Sequence, residues 1–296
     1  MAILTMESGK GKATARLNWL DLTLESTESA HAQSISPMDR GLAYGDGLFA
    51  TMALTPTGDV AFLDTHLSRL HQGACRLGFV LDLKDIKSRL VLAAKAQANQ
   101  QTPRGLKLLI SRGPGGRGYQ APDDASPIAV LSAFDVPAHY REWQRKGICL
   151  FSSELQLAKQ PKLAGMKHLN RLEQVLIRTQ QMPDWAQDFL VSDTDGALIE
   201  ASMANLIFIT GGTAYTPYHA FAGVSGVMRE QIIHALLERG YRVVADKLDP
   251  DMLVKAQAVI MCNSLLGLVD VVRIDNFHYQ VFTESQSIRD ALELNL

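Results

Sequence analysis

The chain has 296 residues, with 29 Lys and Arg against 31 Asp and Glu, for a formal charge of −2. With 47% hydrophobic and 20% charged residues it reads as globular, with room for two ordinary domains. The balanced charge gives no reason to expect nucleic acid or an acidic membrane as partner.

Cys75, Cys149 and Cys262 are far apart and lack metal-ligand spacing, so free thiols in a reducing compartment are expected. The polar, small first dozen residues are expected to be disordered and carry no signal-peptide core. No run approaches the roughly 20 apolar residues of a membrane span. The cytoplasm is the expected location.

Residues 36–54, SPMDRGLAYGDGLFATMAL, set Gly41, Gly45 and Gly47 among Asp39, Arg40 and Asp46. This predicts a tight loop feeding a strand over 48–54, with 60–62 returning as its partner strand. Leu63, Leu67, Leu70, Ala74 and Leu77 predict a helix over 64–77, with Arg69 beside its buried face. A second helix is expected over 85–98. A strand at 106–112 runs into the loop GPGGRGY at 113–119, and another strand covers 128–134.

Residues 135–141 contain a proline and no clear period, and read as a link between a smaller domain at 15–134 and a larger one at 142–296. A short helix over 141–146 and a strand over 148–152 follow. In LAGMKHLNRLEQV, residues 163–175, Lys167 stands at the mouth of a predicted helix. Leu169, Leu172, Val175 and Leu176 form its apolar stripe. Residues 188–193 and 197–210 predict a hairpin about Thr-Asp-Gly. A helix over 226–239 ends at Gly240. A buried strand is expected over 258–263, a hairpin over 271–274 and 278–282, and a last helix over 284–294. Mixed elements in both halves predict a two-domain α/β (mixed α+β) protein rich in antiparallel sheet. Neither GxGxxG nor GxxxxGK[ST] occurs.

Three features of the second half could carry chemistry. A lysine held at the mouth of a helix can form a Schiff base once desolvation or nearby cations make its amine neutral. Glu200, in the small and apolar context LIEASMAN, faces either solvent or a cation. In GVSGVMREQ, residues 223–231, small residues precede a helix and leave backbone N–H groups free for a phosphate. Ser225 is the expected N-cap there. Asn263 and Ser264 end the buried strand as a second possible phosphate contact or a plain turn. Taken singly, each also fits an ordinary solvated lysine, an exposed glutamate and a simple helix start. Together they match the needs of pyridoxal 5'-phosphate.

The motifs DRGLAYGDGLF, HLSRL, ISRGPGGRGY, PAHY, LAGMKHLNRLEQVLIR, IEASMANLIF and GVSGVMR occur in this order over about 36–267. In these the chain resembles the fold-type IV pyridoxal-phosphate enzymes, and within them most the 4-amino-4-deoxychorismate lyases. The resemblance implies a smaller N-terminal α/β domain, a larger domain with a pseudo-barrel of mostly antiparallel strands, and a homodimer. It implies Lys167 as the cofactor lysine and proton carrier, Glu200 facing the pyridine nitrogen, and Arg69 on the phosphate. Ser225, Gly226, Val227, Asn263 and Ser264 are implied as further phosphate contacts, and Arg117 as a grip on a substrate carboxylate. Arg112 reads as structural.

The implied reaction converts aminodeoxychorismate to 4-aminobenzoate and pyruvate through an external aldimine, in folate synthesis. After GDG, the aminotransferases of the family carry two hydrophobic residues and a glutamate; here Leu48 and Phe49 precede Ala50. Alternatives are an aminotransferase for D- or branched-chain amino acids, and a non-catalytic homologue that binds the cofactor.

Overall fold

The computed structural model describes residues 17–21, 35–98, 102 and 104–296; the polar first dozen residues lie outside them. The first part runs β1 (Asn18–Asp21), α1 (Arg40–Tyr44), β2 (Gly47–Ala53), α2 (Leu63–Leu77), α3 (Leu83–Ala96), β3 (Arg104–Ser111) and β4 (Ile128–Asp135). Its sheet has the order β1-β4-β3-β2, antiparallel except for the β1–β4 pair. The helices α2 and α3 bury Leu67, Leu70, Ile86 and Leu90 with Leu106, Leu108 and Ile110 of β3 in one cluster. Each such side chain is worth about 1.5–3 kcal/mol relative to exposure.

The second part runs α4 (His139–Lys146), β5 (Ile148–Ser152), α5 (Leu172–Thr179), β6 (Asp188–Ser192), β7 (Leu198–Ala201), β8 (Asn205–Thr210) and β9 (Thr213–Pro217). Then come α6 (Val227–Glu238), β10 (Arg242–Asp246), α7 (Met252–Lys255), β11 (Ala258–Asn263), β12 (Gly267–Ile274), β13 (Phe277–His278) and α8 (Ser285–Ala291). The nine strands are ordered β10-β9-β8-β11-β12-β5-β6-β7, with β13 on β12. Leu198 at the start of β7 bridges Leu248 just after β10, which draws the two edges together and curls the sheet. One cluster, with Leu150, Leu206, Phe208 and Val269, fills one side of the sheet. The other side packs on α6 and α8 through Ile232, Leu236 and Ile288. The fold is the expected mixed α/β one. Among the described residues no helix is long and apolar enough to cross a membrane, and no group of His, Cys, Asp and Glu could hold a metal ion.

Several elements differ from expectation. The loop before β2 contains the helix α1, capped by Asp39, whose side chain accepts from the Leu42 amide. Gly45 closes it with φ 66°, so Asp-to-Gly spacing was a helix signal. Residues 60–62 make a single bridge, Leu54 to Val60, then turn through Phe62 into α2; the partner of β2 is β3. The run 197–210 breaks at 202–204 into β7 and β8. The last hairpin pairs β12 with only Phe277–His278.

Candidate active site

A cavity of about 630 Å³ opens where β2, α5, the β7–β8 junction, the start of α6 and the end of β11 meet. Lys167, Glu200, Arg69, Asn205, Gly226, Val227, Asn263 and Ser264 all line it.

Lys167 is not at a helix mouth, because α5 begins only at Leu172. It is held by backbone pairing instead. The Phe49 amide donates to the Lys167 carbonyl at 3.0 Å, and the Leu169 amide donates to the Gly47 carbonyl at 3.0 Å. Only glycine permits this approach, since a Cβ on Gly47 would lie 2.2 Å from the Ile110 carbonyl oxygen and 2.7 Å from Leu169 Cδ1. The expected apolar stripe also points the other way: Leu172, Val175 and Leu176 are 69%, 55% and 47% exposed, whereas Ile177 is buried.

The Lys167 amine sits 4.4 Å from the centroid of the Phe49 ring. Burial, with the Arg69 and Arg171 cations, pushes it down to about 7. A large neutral fraction at neutral pH is what a nucleophilic amine requires. His66, fully buried on α2, is pushed down to about 3 by burial and by Arg69 and Lys167. It therefore stays neutral and adds no third cation.

Glu200 lies on β7 and is 6% exposed. Its Oε2 accepts from the Val224 amide at 2.9 Å and from Asn205 Nδ2 at 3.4 Å. In a regular strand Asn205, five residues on, would face away. The break at 202–204 turns it back, and its Nδ2 also donates to the Val224 carbonyl at 2.8 Å. Burial pushes the Glu200 carboxyl up to about 7, opposed by the Val224 amide and the Arg171 and Lys167 cations. A cation placed against it would favour the carboxylate.

Arg69 approaches from α2, which meets α6 through Gln231 Nε2 donating to Thr65 Oγ1 at 3.3 Å. Its Nε is buried and has no hydrogen-bond partner among the described residues. Burial pushes the guanidinium down to about 10, against the pull of Glu230. Gly226 is the extended N-cap of the 12-residue α6, with no side-chain cap bond. The first N–H groups of a helix have no intrahelical partner. Thus an unpartnered guanidinium and an uncapped helix start line the same cavity, a combination suited to a phosphate.

Ser225 is not the N-cap. It is exposed and lies outside the cavity lining, and its amide donates to the Gly165 carbonyl at 3.0 Å. The Gly165 amide donates to the Gly223 carbonyl at 2.9 Å, so this turn is tied to the Lys167 segment. Asn263 spends its Oδ1 on the Leu265 and Leu266 amides at 2.9 and 2.8 Å, which leaves Ser264 the freer hydroxyl. Arg117 is exposed on the 113–119 loop and does not line the cavity. Arg40 holds the next residues through the Gly118, Tyr119 and Gln120 carbonyls. Arg112 binds Asp46 and the Leu77 carbonyl and is structural.

Sequence reasoning missed Arg171, Arg178, Tyr140 and Thr51, which also line the cavity. Arg171 and Arg178 stand two helical turns apart just after Lys167, a spacing that was readable. As a set, the residues fit pyridoxal phosphate: a neutral amine for its aldehyde, a carboxylate for its ring nitrogen, and unpartnered donors for its phosphate.

The model of the amino-transferase class IV family matches residues 47–274. Aminodeoxychorismate lyase of Vibrio harveyi is 38% identical over 234 residues, covering 79% of this chain and 84% of that protein. The crystal structure of 4-amino-4-deoxychorismate lyase from Pseudomonas aeruginosa superposes with a TM-score of 0.83 at 35% identity, covering 90% of this chain and 96% of that one. D-alanine aminotransferase of Bacillus licheniformis is 22% identical over 237 residues, covering 80% of this chain and 82% of that protein. The chain belongs to the amino-transferase class IV family.

Proposed function

We propose that the chain is a pyridoxal-phosphate-dependent lyase that converts 4-amino-4-deoxychorismate to 4-aminobenzoate and pyruvate, a supply step for folate. The observation that carries this is the Lys167 amine, 4.4 Å from the Phe49 ring centroid, in one cavity with Glu200. The lyase relative stands at 38% identity against 22% for the aminotransferase, which favours elimination over amino transfer. Ala50, fully buried in β2, leaves no acid where the aminotransferases carry a glutamate.

Arg69, Gly226, Val227 and Ser264 would hold the phosphate, and Glu200 would face the ring nitrogen. When bound, the cofactor supplies an electron sink for the pair left as a proton departs from the substrate. Lys167 Nζ takes that proton from the carbon bearing the amine. The C–O bond to the enolpyruvyl group on the neighbouring carbon breaks, and the departing enol is protonated to pyruvate. The ring becomes aromatic, so the elimination needs no oxidant. The Phe49 ring covers one side of the amine.

Two sheets with separate apolar clusters support a division into 15–134 and 142–296 about a link at 135–141. The exposed apolar side chains of α5, Leu172 and Leu176, support a homodimer. The cytoplasm suits three free cysteines.

The test supplies the protein with pyridoxal phosphate and aminodeoxychorismate, and reads pyruvate by coupling to lactate dehydrogenase. Pyruvate equimolar with 4-aminobenzoate is expected. Sustained amino transfer between D- or branched-chain amino acids and a keto acid, without pyruvate release, would favour an aminotransferase. No spectral change on adding cofactor would refute both.

A further inference from the structure

Holding the cofactor uses Arg69 but neither Arg171 nor Arg178, the two other arginines on the cavity wall. Arg171 is the N-cap residue of α5 and Arg178 sits in its last turn. Seven residues at a helical rise put them on one face, about 10 Å apart. Gln174 and Val175, between them, line the same wall.

The two guanidiniums come from opposite ends of α5. Arg171 is half-buried and bonds the carbonyl of His168, the residue after Lys167, so it stands at the Lys167 end of α5. Among the described residues its side chain makes one hydrogen bond, from Nε to the His168 carbonyl at 3.0 Å. Arg178 stands at the other end of α5, its side chain 47% exposed. Its Nη1 donates to Asp188 Oδ1 at 3.0 Å and to the Gln187 carbonyl at 3.2 Å. Asp188 is fully buried and is also bound by the Ser202 hydroxyl and by its neighbour's amide, so it fixes Arg178 from behind. The Nε–Nη2 edge of Arg178 makes no bond among the described residues. That edge is a two-pronged donor matched to a carboxylate.

The substrate class carries two carboxylates at unequal distances from its amine. The enolpyruvyl group hangs from the carbon next to the amine. The ring carboxylate lies across the ring, as the product 4-aminobenzoate records. With the amine at Lys167, the near carboxylate meets the near arginine and the far one the far arginine.

We propose that α5 is the substrate-orienting element: Arg171 binds the enolpyruvyl carboxylate, and Arg178, positioned by Asp188, binds the ring carboxylate. This rests on the lyase reading above. It also places both grips within the chain that carries Lys167, whereas Arg117 lies outside that cavity lining.

The product separates the two roles, because 4-aminobenzoate keeps only the ring carboxylate. In the holoenzyme, Arg178→Gln is expected to raise the inhibition constant of 4-aminobenzoate roughly 10- to 100-fold, the range for a lost charge-assisted bidentate contact. Arg178→Lys keeps a cation beside Asp188 but loses the fork, and is expected to raise it by a smaller factor. Arg171→Gln is expected to leave 4-aminobenzoate inhibition within about twofold while raising KM for aminodeoxychorismate at least tenfold. The inference is overturned if both Arg178 variants bind 4-aminobenzoate as the wild type does. It is equally overturned if Arg171→Gln weakens 4-aminobenzoate as much as Arg178→Gln. Wild-type holoenzyme that releases no pyruvate overturns the lyase reading itself, and this inference with it.

Discussion

Replacing Glu200 by Gln removes one charge from the cavity and little else. The Val224 amide, 2.9 Å from Oε2, keeps an acceptor in the amide oxygen of Gln, so the β7–α6 junction stays closed. What is lost is the carboxylate's attraction for a protonated ring nitrogen. At about 4 Å and an effective dielectric of about 20, that pair is worth on the order of 4 kcal/mol before desolvation. If the attraction is needed mainly while the substrate's electron pair is delocalised, the turnover rate falls by about three orders of magnitude. The assay is pyruvate release at saturating cofactor, with cofactor occupancy read from the visible spectrum. A fall of less than about tenfold, at full occupancy, would refute the assignment of Glu200 to the ring nitrogen.

The same two groups set a pH signature in the cofactor-free protein. Glu200 is raised from 4.5 to about 7, so its contribution is fully present below 4.5 and is lost as pH rises through 7. Glu200→Gln should therefore match the wild-type melting temperature at pH 4.5 and exceed it at pH 8. Lys167 is lowered from 10.5 to about 7, so its charged form costs stability most below 7, and the cost fades toward 10.5. Lys167→Met should accordingly stabilise more at pH 6 than at pH 10, and calorimetry across this range checks both signs. A Cβ at Gly226 would lie 2.0 Å from Asn205 Oδ1, so Gly226→Ala must displace the side chain that bonds the Val224 carbonyl. Cofactor retention is expected to weaken roughly 10- to 100-fold in a spectral titration, the equivalent of one disrupted buried hydrogen-bond site. Asp46 pairs with Arg40 at 2.9 Å and with Arg112 at 2.7 Å, both nearly buried. Asp46→Ala leaves two guanidiniums without their carboxylate, costing about 3–5 kcal/mol and lowering the melting temperature by roughly 10 °C.

The residues that carry the proposed chemistry were legible because each sits in a short local pattern. Lys167, Glu200 and Arg69 could be picked from LAGMKHLNRL, IEASMAN and HLSRL, and all three meet in one cavity. Their supports were not legible, because they depend on tertiary pairing. Nothing local says that the Lys167 carbonyl accepts from the Phe49 amide, 118 residues earlier, or that the Leu169 amide donates to the Gly47 carbonyl, 122 residues earlier. The stripe of Leu172, Val175 and Leu176 was read correctly as one helix face. Periodicity identifies such a face without saying which way it points, and here Leu172 and Leu176 face outward while Val175 also lines the cavity. Asn205 was hidden for a different reason. Ser202, Met203 and Ala204 carry no strong turn signal, yet the chain bends there and reverses the alternation that would have put Asn205 opposite Glu200. Asp39 and Gly45, by contrast, did mark the ends of α1, and the density of glycines masked the helix between them.

The most direct test of the central assignment is turnover by Lys167→Ala loaded with pyridoxal phosphate. The wild type is expected to release pyruvate from aminodeoxychorismate in step with 4-aminobenzoate. The variant is expected to bind the phosphate end through Arg69 and α6, to lack the absorbance of a lysine-bound cofactor, and to release no pyruvate above the uncatalysed rate. Pyruvate release by Lys167→Ala at a rate near that of the wild type would contradict the assignment.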